Sequence, residues 1–124
     1  MKIKTVFILG TIVMGLFGLA FLLFPEALTT YYGNTLGDGG VIFARLWGGA
    51  TLALASILWF ARDAEDSEAR RAIVIGGFVY SILGLIVALY SQLMGMVNSL
   101  GWSTVIIYFL FAVDFGYFLF KKSE

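Results

Sequence analysis

The chain has 124 residues, 60% of them hydrophobic and 13% charged, with no cysteine, no histidine and a formal net charge of zero. A water-soluble domain carries about a quarter charged residues, so this composition, with a mean hydropathy of +0.95, points to lipid as the solvent. It excludes disulfides, thiol redox chemistry, cysteine or histidine metal sites and bis-histidine haem, and it offers no general attraction to nucleic acid.

The first predicted element is an apolar run over residues 5–24, closed by Pro25. Met-Lys-Ile-Lys precedes it, as in a signal peptide, but the run is longer than a signal core and no small-residue cleavage site follows, so it reads as a retained helix. Thr11, Gly15 and Gly18 recur along it at spacings of three and four, the pattern that lets two helix backbones approach closely. Pro25 stops this helix or opens a new one. Residues 26–32 can form a short interfacial helix with Tyr31 and Tyr32 at headgroup level, and the glycines from Gly33 to Gly40 supply turns.

The second run covers 41–61 and repeats the small-residue pattern at Gly48, Gly49 and Ala53. A compact loop of mixed charge, 62–71, follows, with Ser67 placed to cap the next helix. The third run, 72–93, carries Gly77, Ser81 and Gly84, and the fourth covers 102–120. Each is near the roughly 20 residues that span a bilayer, and backbone amides in hydrocarbon need internal partners, so all four are expected to be helices. The expected architecture is all-α: a polytopic membrane protein, residues 1–124 forming a single four-transmembrane-helix bundle. Gly18-Leu19 and Gly84-Leu85 occupy matching places in the first and third runs, the trace a parallel internal repeat would leave.

Orientation follows from the basic residues. Lys2, Lys4, Arg62, Arg70, Arg71, Lys121 and Lys122 fall at the two ends and in the middle loop, which share one side in a four-span chain. The segments 25–40 and 94–101 contain no lysine or arginine. The positive-inside rule therefore puts both termini in the cytoplasm of a cell-membrane protein. Trp47, Trp59, Trp102, Tyr90 and Tyr117 lie mostly near the two boundaries, as an aromatic belt does.

Two ionisable residues interrupt the runs. Arg45 lies four residues, about 6 Å, inside the outer end of the second run, and Asp114 about 10 Å from the inner end of the fourth. A lone charge at such depth costs roughly 2.5–3.5 kcal/mol, so each calls for a partner or water. In a core about 30 Å thick the two are some 14 Å apart along the normal, which disfavours a direct pair. Glu26, just past the first helix, is the expected partner of Arg45, with snorkelling to lipid phosphates and a long link to Asp114 as alternatives. Near the depth of Asp114 lie Thr11, Ser56, Tyr80 and Ser81. Together they suggest a polar layer whose hydroxyls donate to the carboxylate, either as structural hydrogen bonding or as a proton or cation site. No motif for a metal or an organic cofactor is present.

The stretch GLFGLAFLLFPE at 15–26, ARLWGGA around Arg45 and the charged middle loop resemble a broad set of small bacterial and archaeal four-helix membrane proteins, domain-of-unknown-function groups loosely related to DoxX. That resemblance implies a four-helix membrane fold. The thiol redox role of DoxX-like proteins would need cysteines, which are absent. Small multidrug transporters carry a glutamate in their first helix, where this chain has no acid.

Three functions are carried forward. The leading expectation is a non-enzymatic accessory, assembly or scaffold subunit that works through helix contacts, as a homo-oligomer or with a membrane partner. Its helix-packing residues would be Gly15, Gly18, Gly48, Gly49, Gly77 and Gly84. The second is a binder or carrier of a small apolar or lipid-like ligand with Arg45 and Glu26 at its outer mouth. The third is proton-coupled transport through Asp114.

Overall fold

A computed structural model describes residues 2–121; Lys122, one of the basic residues used for orientation, lies outside them. The described residues form five helices and no strand: α1 (Ile3–Leu23), α2 (Pro25–Tyr31), α3 (Asp38–Ala61), α4 (Glu68–Leu93) and α5 (Gly101–Phe120). Four of them, α1, α3, α4 and α5, are long and apolar enough to cross a membrane. The expected all-α class holds, and each apolar run is a helix within a few residues of its predicted bounds.

The helix ends have local causes. Pro25 opens α2 at its first turn, where a missing N–H costs nothing. Both α2 and α4 end in Schellman motifs. In the first, Asn34 N–H donates to Thr29 O and Gly33 N–H to Thr30 O; in the second, Met96 N–H donates to Ser91 O and Gly95 N–H to Gln92 O. The pivots Gly33 and Gly95 have φ of +84° and +71°, a region an L side chain resists. Ser67 caps α4 as its position predicts, its Oγ accepting from Arg70 N–H at 3.2 Å.

The chain divides into two compact units. One is Phe7–Arg62, containing α2, α3 and most of α1. Its tightest contact is backbone against backbone. A Cβ at Gly18 would lie 2.9 Å from both Gly48 O and Leu52 N, and one at Gly48 would lie 2.7 Å from both Gly18 O and Leu22 N. Only glycine at both positions permits that approach, the device by which membrane helices gain dispersion contact where water gives no hydrophobic drive. Around it, Gly15 touches Ala55, and the rings of Phe21 and Trp47 meet edge to face at 4.9 Å.

The other unit is Met1–Val6 with Asp63–Glu124, dominated by α4 and α5. Here glycines accept aromatic rings instead of backbone. Gly77 faces the Phe115 ring, Gly84 the Tyr108 ring, and Gly116 of α5 the Phe78 ring of α4. Knobs thus run in both directions across the pair, and Phe115, Val74 and Ala112 are buried among them. Large apolar side chains elsewhere stand exposed, Phe60 at 83% and Phe120 at 75%. In water such surface would drive aggregation; against lipid tails it is ordinary.

Candidate functional site

The basic residues near the ends of α3 and α5 are used locally. Arg62 Nη1 donates to Trp59 O at 2.7 Å while its guanidinium lies 3.8 Å from the centre of the Trp59 ring. Arg71 Nη1 donates to Leu119 O at 3.4 Å, and Lys121 stands over Tyr117. Cations therefore meet the exposed carbonyls at the C-termini of two helices, where the helix dipole is negative. Arg70 pairs with Asp66 at 3.4 Å and donates to Ala64 O, and Lys4 pairs with Asp63 at 2.7 Å. These pairs are largely solvated and each is worth little on its own.

The polar side chains expected around Asp114 make other bonds. Thr11 Oγ1 donates to Phe7 O at 2.9 Å and is 3.3 Å from Ala55 O, linking α1 to α3. Ser56 is exposed and donates back to Leu52 O. Ser81 is fully buried and donates to Gly77 O at 2.8 Å. The Tyr80 ring packs 5.8 Å from that of Tyr108, and their hydroxyls share a hydrogen bond. Within their own unit, Tyr80 and Ser81 make no hydrogen bond to the Asp114 carboxylate, and Thr11 and Ser56 belong to the other unit. A serine or threonine in an apolar helix has a carbonyl one turn back within reach, and that local bond wins.

Asp114 itself lies half-buried on α5, flanked by exposed Val113 and Tyr117 and buried Phe115. Among the described residues of its own unit, nothing donates a hydrogen bond to it or forms an ion pair with it.

Arg45 is exposed on α3, and Glu26 is exposed in the first turn of α2. The expected pair between them is not made, nor does any other acid of the same unit reach Arg45, among the described residues. Pro25 is the reason: it starts a new helix axis, so Glu26 does not extend the line of α1 towards α3. Of the glycines expected to pack, Gly15, Gly18, Gly48, Gly77 and Gly84 do so, whereas a Cβ at Gly49 would meet nothing within 4 Å.

Sequence reasoning passed over three residues. Thr51 is 2% exposed; it lies three places after Gly48 and so shares the packed face of α3. Tyr108 lies on the buried face with Phe111 and Phe115, at spacings of three and four. Gln92 Nε2 donates to Asn98 O across the turn between α4 and α5 while its buried Oε1 has no partner among the described residues and packs on Gly101.

Fold and residues together define an all-α chain with four helices able to cross a membrane and two charges set within them, each without a counterpart among the described residues of its own unit. No grouping of acids that could hold a metal ion occurs among the described residues. The chain belongs to the family described as domain of unknown function DUF8292, whose family model matches residues 2–122. No curated protein and no solved structure matches it.

Proposed function

We propose that this chain is a multi-pass cell-membrane protein with both termini cytoplasmic, acting without catalysis as an accessory or scaffold subunit that docks a helix of another subunit or of a second copy. Asp114 carries the reading. A carboxylate within a membrane span costs several kcal/mol unless something donates to it, and such residues face partners or cavities as a rule. Within its own compact unit, among the described residues, Asp114 has no such donor. A neighbouring helix that brings a hydroxyl, amide or cation to Asp114 removes the cost and gains specificity in doing so.

The orientation rests on charge. Seven of the eight basic residues flank the end of the spans where Lys2, the 62–71 loop and Lys121 lie, and segments 25–40 and 94–101 have none.

Cross-linking in native membranes followed by blue-native electrophoresis in mild detergent tests the reading. Wild type is expected to migrate as an assembly larger than one chain, and Asp114→Leu as the monomer with unchanged helical content. A wild type that is monomeric and cross-links to nothing overturns the proposal. Asp114→Asn separates docking from proton-coupled transport: the amide still hydrogen-bonds, so assembly persists, but it carries no proton, so any pH-driven flux would vanish.

A further inference from the structure

Arg45 raises a different question, since it lies at the other end of the spans. It is the single lysine or arginine outside the termini and the 62–71 loop, and it is exposed on α3 with no acid of its own unit in reach among the described residues. The nearest acid along the same face, Asp38, is two turns away, about 10 Å along the axis.

The residues inward of Arg45 on that face are small. Gly49, Ala53 and Ser56 follow it at i+4, i+8 and i+11, the spacing that keeps one row on a helix. The absent Cβ of Gly49 leaves open space, Ala53 is exposed, and Ser56 has turned its hydroxyl back to Leu52 O, so the row presents no polar demand. Exposed Leu46 and Ile57 flank the row on one side, and exposed Ile42 and Phe60 stand at its two ends. The row extends about 17 Å from Arg45, the order of length of an acyl chain within one leaflet.

We propose that Arg45 and this row form a binding site for one phosphate-bearing membrane lipid of the outer leaflet. The guanidinium grips the phosphate and an acyl chain lies along Gly49 and Ala53. Depth fits the assignment: Arg45 is about 6 Å inside the outer end of the apolar run, a distance its side chain covers by snorkelling to the headgroups. Charge fits it as well. Phosphate is the anion that a bilayer presents at that level, and guanidinium meets it with two parallel N–H donors in a geometry lysine cannot copy. The site rests on the membrane topology proposed above but not on Asp114.

Native mass spectrometry of protein equilibrated with phosphatidylglycerol or with a monoglucosyl diacylglycerol of the same acyl chains tests it. Wild type is expected to retain one phosphatidylglycerol per chain and to discriminate against the phosphate-free lipid. Arg45→Ala should lose at least about tenfold in retention, as removal of a charge-assisted bond implies. Arg45→Lys should fall between the two. Gly49→Leu should weaken retention with the guanidinium intact, and Asp114→Leu should retain lipid as wild type does, which keeps this site distinct from docking. Equal retention of the two lipids by wild type, or equal retention of phosphatidylglycerol by wild type and Arg45→Ala, overturns the proposal. If Arg45→Ala fails to fold, the two-lipid comparison on wild type and the Arg45→Lys and Gly49→Leu variants still decide.

Discussion

Gly48 and Gly49 are neighbours in sequence and opposites in environment. A side chain at Gly48 meets the backbone of α1 at 2.7 Å, whereas one at Gly49 meets nothing. Gly48→Leu should therefore destabilise the chain by about 1–3 kcal/mol or more, the cost of forcing volume into a packed contact, while Gly49→Leu should stay close to wild type. Denaturation in mixed detergent, followed by loss of helical signal, measures both; equal effects would refute the assigned faces. The sequence makes such small residues visible as a class, because their spacing marks a face. It cannot separate Gly48 from Gly49, since adjacent glycines satisfy the same pattern and only the crossing point of α1 decides. The hydroxyls are less legible still. Thr11, Ser56 and Ser81 are equally plausible donors to a carboxylate until their bonds to nearby carbonyls are seen.

Helices are the best-read level of this molecule, because in an apolar chain run length and backbone satisfaction leave no other structure. The deviations lie at polar starts: α3 begins at Asp38 and α4 at Glu68, three and four residues before the apolar runs they contain. A hydropathy reading begins a helix at the first apolar residue, whereas a cap begins it at the first turn that can be satisfied. Ser67 provides that turn for α4, and Ser67→Ala should cost about 1 kcal/mol, seen as faster hydrogen exchange over 68–71 with the rest of α4 unchanged. The Gly18-Leu19 and Gly84-Leu85 pairs look alike in sequence but serve different contacts, Gly18 admitting a backbone and Gly84 an aromatic ring. Size alone is common to both, and size is all that the repeat encodes.

For the molecule as a whole, segregation of basic residues was legible without any structure, and the proposed topology gives it a direct check. The chain has no cysteine, so single cysteines can be introduced without background. Thr35→Cys should react with a membrane-impermeant maleimide on intact cells, and Glu65→Cys only after permeabilisation; the reverse result would invert the orientation. The structure adds that several of these cations are already committed, Arg62 and Arg71 to helix carbonyls and Lys4 and Arg70 to acids. Under the proposed topology, the side chains that set orientation during insertion are the same ones that make these contacts in the finished fold. The two charges within the apolar runs, Arg45 and Asp114, were also visible from sequence, but not their surroundings. Pairing of Arg45 with Glu26 failed on the change of axis at Pro25, which hydropathy does not report.

The reciprocal contact of Gly18 and Gly48 also restricts how this sequence can drift. Each residue's missing side chain is the space occupied by the other's carbonyl. A methyl on either helix has to part the two, and once they are parted a second methyl meets little further resistance. Substitutions at the two positions are therefore expected to be coupled and sub-additive, with no small residue at one site able to rescue a larger one at the other. The crossing behaves as a single shared character distributed over two helices, inherited whole or lost whole.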